Sequence, residues 1–190
     1  TEDEIISSYS GVRPLYEDHA ASNSTVTRDY VFELDNEGGA PILSVYGGKI
    51  TTYRKLAEHA LEKLGRVLAL PGKAWTADAP LPGGDMPDGD FAAFLWRISE
   101  RYEWLPPEML LRLARAYGTR IEAVIGSAGS LGELGAHMGG NLYEAELRYL
   151  FDAEYARTAQ DVLWRRSKLG LHLPVGAQQA VADWFAAQTS

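Results

Sequence analysis

Tyr46-Gly47-Gly48-Lys49-Ile50-Thr51-Thr52-Tyr53-Arg54 is the stretch that decides how the first part of the chain folds. It follows a β-type run, Ile42-Leu43-Ser44-Val45-Tyr46, and leads into an amphipathic pattern in which Tyr53, Leu56, Ala57, Ala60, Leu61 and Leu64 recur at helical spacing. The reading is strand, glycine turn, helix, with Gly65 as the stop. Glycines at such a turn allow close approach of a ligand to the backbone. Thr51 or Thr52 is placed to cap the helix, whose first N–H groups have no partner inside it. A helix start beside Lys49 attracts negative charge, so the turn reads as half of a site for an anionic ligand or cofactor. It is neither a P-loop nor a dinucleotide fingerprint, because G-x-x-x-x-G-K-[ST] and G-x-G-x-x-G spacings are absent. A plain glycine turn between a core strand and a core helix remains an open alternative.

Outward from this stretch, Tyr30, Phe32 and Leu34 alternate with Val31 and Glu33, as in a strand with one buried face. Asp35 to Pro41 is rich in turn residues, so residues 29–46 are predicted to form a hairpin. Residues 69–87 carry Pro71, Gly72, Pro80, Pro82, Gly83, Gly84 and Pro87 and are read as a linker. Residues 88–190 read as helices throughout. Phe91, Phe94, Leu95, Ile98 and Tyr102 form one stripe, and Met109, Leu110, Leu113 and Tyr117 form the next after Pro106-Pro107. Thr119 is expected to cap a short helix carrying Ile121, Val124 and Ile125, and Gly126 to Gly140 to be loop. Thr158-Ala159-Gln160-Asp161 resembles a capping box for a helix ending near Gly170. The predicted class is α+β: a strand-and-helix remnant over residues 1–68, the linker, and an all-α domain over 88–190.

The chain has 190 residues and a net charge of −8, which argues against a nucleic-acid binder. It has no cysteine, so disulfides, thiolate catalysis and Cys-ligated zinc are excluded. The opening Thr1-Glu2-Asp3-Glu4, without Met, reads as the middle of something longer.

Three cations stand out. Arg13, held extended by Pro14, is a candidate to point into a site, or is a surface arginine paired with Glu17 or Asp18. Arg28, just before the strand, offers a bidentate fork for phosphate or carboxylate, or is a solvated hairpin residue. Lys49 would act with the helix start on one anion, or is a solvated turn lysine. His19, His59, His137 and His172 have no metal-ligand spacing, so no metal site is expected. Arg165, Arg166 and Lys168 read as cations favouring a helix C-terminus. The five tryptophans are read as core and interface residues.

Tyr9-Ser10-Gly11-Val12-Arg13-Pro14-Leu15, then Thr27-Arg28-Asp29-Tyr30, then Gly47 to Glu58, occur in an order that resembles the FAD-dependent, quinone-linked glycerol-3-phosphate dehydrogenases. The run Arg157 to Gly170 is similar to their C-terminal helical domain. The resemblance implies FAD bound in the full-length protein and oxidation of sn-glycerol 3-phosphate at C2 to dihydroxyacetone phosphate, with electrons passed to quinone. It implies Arg13 as catalytic, Arg28 and Lys49 on the substrate phosphate, and Gly47, Gly48, Lys49, Ile50, Thr51 and Thr52 beside the flavin. It further implies a cytoplasmic protein at the inner face of the cell membrane. The dinucleotide fingerprint of that family is missing here, so this stretch alone is expected to lack activity and tight FAD binding. Unpaired strand edges in the first block make a homodimer an expectation. The alternatives are a non-catalytic helical interaction module, or a related FAD oxidoreductase with another substrate.

Overall fold

A computed structural model describes residues 5, 8–12 and 29–188. It divides the chain into two units, Thr1–Ala79 and Pro80–Ser190. The division falls inside the segment read as a linker, and that segment is shared out between the units.

In the first unit, β1 (Tyr30–Asp35) and β2 (Ile42–Gly47) form an antiparallel hairpin with Tyr30 opposite Gly47 and Asp35 opposite Ile42. A short 3-10 turn, Ile50–Thr52, leads into α1 (Tyr53–Leu64), which lies against β1. Gly65 closes α1 in a right-handed conformation, its N–H reaching the carbonyls of Leu61 and Lys63. None of the described residues in this unit is fully buried. The apolar stripe of α1 is covered only in part: Tyr53 stays 49% and Leu61 59% exposed.

In the second unit the core is built by α2 (Phe91–Arg101), α3 (Pro107–Tyr117), α4 (Ile121–Ile125), α5 (Glu144–Ala153), a π-helix (Asp161–Arg166) and α6 (Val175–Gln188). Asp90 caps α2 by accepting from the Ala93 N–H at 3.0 Å. Helices α2, α3 and α4 bury Phe94, Ile98, Leu113, Ile121 and Ile125 in one cluster. Helices α5 and α6, with the π-helix, bury Leu147, Leu150, Val162, Leu163 and Val181 in a second. Each such side chain contributes roughly 1.5–3 kcal/mol on burial. Tyr117 and Tyr149 lie against both clusters, edge to face with ring centres 5.4 Å apart.

Between these clusters sits Glu146, a buried charged residue at 2% exposure. Arg112 donates to both of its oxygens, Nη1 to Oε1 at 2.8 Å and Nη2 to Oε2 at 2.7 Å. The Tyr117 hydroxyl donates to Oε1 at 2.6 Å. Nη2 of Arg112 also reaches the Asn141 carbonyl at 2.7 Å. Burial first, and the Glu146 charge second, hold the Tyr117 phenol protonated far above its usual range. Glu146 thus joins α5 to α3, and Arg112 joins both to the loop carrying Asn141.

Four expectations need correction. The second unit is not all helix: β3 (His137–Gly139) and β4 (Leu142–Tyr143) pair within and just beyond the stretch read as loop. A Cβ on Gly139 would lie 2.6 Å from the Ala177 side chain of α6, so small residues let the hairpin close on that helix. Thr119 does not cap α4; its hydroxyl bonds Asp85, while its N–H donates to the Gly83 carbonyl at 3.0 Å. These bonds tie residues 83–85 to the helical unit. The helix after Thr158 is a single π-turn that stops at Arg166, where Ser167 turns extended and bonds the Val162 carbonyl at 2.6 Å. Trp104, Trp164 and Trp184 pack on the core clusters, but Trp75 and Trp96 are 71% and 67% exposed.

The reciprocal bonds of a capping box are present at Thr158 and Asp161. Asp161 Oδ2 accepts from the Thr158 N–H at 2.9 Å, and the Thr158 hydroxyl accepts from the Asp161 N–H at 3.2 Å. Donors around Asp161, led by the Arg157 N–H, hold its carboxyl down to about 2.

Arg112→Met strands the Glu146 carboxylate and is expected to cost roughly 3 kcal/mol in urea unfolding followed by tryptophan fluorescence; a loss below about 1 kcal/mol would show that the network does not hold the unit together. The Asp161 carboxyl is depressed in the folded state, so its contribution is present above about pH 4 and is lost as pH falls towards 2. In Asp161→Asn, protection of the Arg157 and Thr158 amides, relative to their intrinsic exchange rate at each pH, should be lower than the parent's at neutral pH and should no longer fall across that acid window.

Candidate functional site

The Gly47–Thr52 turn is set by its backbone. Gly47 has φ 71° and Gly48 φ 95°, conformations that L side chains rarely adopt. A Cβ at Gly48 would also stand 3.1 Å from Cδ1 of Leu56 on α1. The chain therefore reverses against the helix it is about to enter. The Tyr30 hydroxyl and His59 Nδ1, 2.5 Å apart, fasten β1 to α1 on the same side. Because Tyr30 is opposite Gly47, the start of β1 lies beside the turn.

Lys49 follows with extended backbone (φ −112°, ψ 150°). Contrary to the expectation for Thr51 or Thr52, no side chain caps α1. The Thr52 hydroxyl turns back to Lys49 instead, donating to the Lys49 carbonyl at 3.0 Å and accepting from its N–H at 3.3 Å. This fixes the Lys49 peptide and leaves the helix start without a side-chain acceptor. Lys49 is exposed and makes no ion pair among the described residues. Ile50 beside it is 87% exposed. The turn is thus an open, positively charged shelf over an uncapped helix start, suited to an anion.

A neighbouring network escaped the sequence reading. Glu58 on α1 accepts from Arg54 at 3.0 Å, from Lys55 at 3.0 Å and from the Thr76 hydroxyl at 2.5 Å. The Thr76 bond, then Lys55, holds the Glu58 carboxyl below its usual range. Arg54 and Lys55 thereby share one carboxylate within one turn of helix, and Lys49 pairs with none among the described residues. The i, i+4 spacing of Arg54 and Glu58 was visible in the sequence; the partner from residue 76 was not.

Of the three candidate cations, only Lys49 can be placed. Arg13 and Arg28 lie outside the described residues. No group of three or more potential metal ligands is found among the described residues.

Comparison with known proteins gives a family and several relatives. The model of the C-terminal domain of alpha-glycerophosphate oxidase matches residues 74–189. The chain is 46% identical over 188 residues to the aerobic glycerol-3-phosphate dehydrogenase of Escherichia coli, covering 98% of this chain and 37% of that protein. It is 46% identical over 183 residues to a glycerol-3-phosphate dehydrogenase of Pseudomonas aeruginosa, covering 96% of the chain and 36% of the relative. It is 45% identical over 183 residues to a D-erythritol 1-phosphate dehydrogenase of Brucella abortus, again 96% and 36%. The chain thus spans little more than a third of the length of these relatives.

Gly48→Ala is expected to destabilise the first unit by roughly 1–2 kcal/mol, because the new methyl meets both an unfavourable φ and Leu56. Faster amide exchange across β2 and the first turn of α1 would report it. Exchange equal to the parent's would show that the turn does not need glycine at this position.

Proposed function

The chain belongs to the family of the C-terminal domain of alpha-glycerophosphate oxidase, and on that premise we propose that the protein is an FAD-dependent dehydrogenase of a polyol phosphate, oxidising sn-glycerol 3-phosphate to dihydroxyacetone phosphate. The observation that carries the reading is Lys49, an exposed cation with no ion pair among the described residues, whose peptide is held by Thr52 at the start of α1. The turn lies within a segment matched along 98% of the chain to a protein named as a glycerol-3-phosphate dehydrogenase. The first unit is then the end of the flavin and substrate domain, and the second is a helical domain with a supporting role.

The division of labour follows from charge. A phosphate dianion needs more than one fixed cation, and Lys49 with Arg28 would supply them. Arg13 would sit nearer the reacting hydroxyl, where a guanidinium stabilises negative charge developing on oxygen as the proton leaves. Gly47, Gly48, Ile50 and Thr51 would bring backbone and the helix start to the flavin edge, with Thr52, whose N–H donates to the Lys49 carbonyl at 3.0 Å, shaping the turn behind them. The turn suits that role, since its glycines carry no side chain to obstruct a planar ring and no side chain among the described residues makes a capping bond at the start of α1. A bound flavin would accept the hydride from C2 of the substrate. Quinone as the next electron acceptor, a cytoplasmic protein at the inner face of the membrane, and a homodimer belong to the same proposal. No helix among the described residues is long and apolar enough to cross a membrane.

A second substrate reading rests on a specific finding, the 45% identity to a protein named as a D-erythritol 1-phosphate dehydrogenase. Both names carry a phosphate monoester on a polyol, so the role given to Lys49 is the same for either; the residues that measure the length of the polyol would differ.

Steady-state kinetics of the full-length protein test the proposal. Lys49→Ala should raise KM for sn-glycerol 3-phosphate by roughly 10- to 100-fold, the effect of losing a charged hydrogen bond to phosphate, with a smaller change in kcat. An unchanged KM would remove Lys49 from the phosphate site. Faster turnover of D-erythritol 1-phosphate than of sn-glycerol 3-phosphate would shift the substrate to the second reading.

A further inference from the structure

The basic cluster near residue 166 does more than close a helix. The end of the π-helix and the last turns of α3 flank an open cavity of about 510 Å³, within the size range of small-molecule sites. Its lining includes Arg112, Arg115, Arg166 and Lys168 against Glu108 and Glu146. Four cations thus face two carboxylates in a chain whose net charge is −8. Arg112 and Glu146 satisfy each other through two bonds, which leaves Arg115, Arg166 and Lys168 against Glu108, an excess of two positive charges.

These three are positioned to different degrees. Arg166 is anchored by Nε to the Glu154 carbonyl at 2.7 Å, an attachment that engages one of its three nitrogens. Lys168 reaches the Trp164 carbonyl at 2.5 Å with one of its three donors. Arg115 comes from another element, α3, and makes no hydrogen bond or ion pair among the described residues. Helix-end capping accounts for Lys168 and part of Arg166, but not for Arg115 facing the same space. The chain between them is stiff: the Ser167 hydroxyl donates to the Val162 carbonyl at 2.6 Å and accepts from the Leu169 N–H at 3.2 Å. A π-turn is a rare local form that recurs at functional sites. Here it ends in the extended Ser167 and sends Arg166 and Lys168 to the same cavity. The rest of the wall is Leu111, Ala116 and Leu169, which are aliphatic, with Tyr117, Ser167 and His172.

We propose that this cavity binds a small phosphate monoester with a compact apolar body, its phosphate held by Arg115, Arg166 and Lys168. Three converging cations suit a dianion, and the aliphatic wall suits the rest of the ligand. The site lies wholly in the second unit and shares no residue with the Lys49 turn, so it stands independently of the activity proposed above.

The test is calorimetric titration of the full-length Lys49→Ala protein with phenyl phosphate, which leaves the Lys49 turn disabled in every arm. Saturable binding is expected, with amide-exchange protection at residues 108–117 and 166–172. Arg115→Gln, which breaks no bond of the fold, should weaken it at least about threefold, and Arg115→Gln with Lys168→Gln about tenfold or more. Benzyl alcohol, uncharged and of similar shape, should bind more weakly than phenyl phosphate. Absence of saturable binding, protection elsewhere in the protein, indifference to Arg115→Gln, or equal affinity for benzyl alcohol would each overturn the proposal.

Discussion

The bidentate bond between Arg112 and Glu146 is the constraint on which the second unit depends. A carboxylate at 2% exposure is tolerable only when its lone pairs are occupied. Here two guanidinium N–H groups and the Tyr117 hydroxyl occupy them. The bond fixes the separation of α3 and α5, and each helix then carries its own apolar face into a different cluster. Such a charged junction adds little net stability compared with an apolar replacement, but it admits fewer arrangements than Leu against Leu would. Arg112, Glu146 and Tyr117 all form part of the wall of the cavity beside the π-helix, so the packing device and the proposed ligand site share these three side chains.

The first unit is organised differently. Its described residues bury nothing fully, and its order comes from backbone constraints and short polar links: two left-handed glycines, the Tyr30–His59 bond, and Thr52 folded back on Lys49. Apolar side chains on β2 and on α1 remain open, among them Ile42 at 62% and Leu61 at 59%. An antiparallel pair of this size is marginal by itself. The unit presents a shaped, charged turn on an incompletely covered support, as the proposed function requires if the flavin and the remaining substrate contacts come from elsewhere in the protein.

Much of the framework was legible from local pattern. Alternation in Tyr30 to Leu34 and the turn residues after it gave the hairpin; the spacing of Phe94, Ile98 and Tyr102 gave α2; and Pro106-Pro107 marked the start of α3. The capping box at Thr158 was legible because it spans four residues. What escaped depends on distant partners. Arg112 and Glu146 lie 34 positions apart, and nothing near either one names the other. Thr119 had the right side chain for a cap but found Asp85, also 34 positions away. The strands β3 and β4 are three and two residues long, too short for any alternation to show. At the candidate site the glycines, Lys49 and the helix start were read from the sequence, whereas the direction of the Thr52 hydroxyl, back to Lys49 instead of forward into the helix, is a matter of geometry that residue type does not specify.

The central claim is that this turn serves a flavin enzyme acting on a polyol phosphate. It is tested most directly by the absorption spectrum of the full-length protein, taken anaerobically before and after addition of sn-glycerol 3-phosphate, with glycerol as the comparison. The account requires a bound flavin that bleaches with the phosphate ester and stays oxidised with glycerol. A protein that purifies without flavin, or whose flavin ignores both compounds, would contradict it.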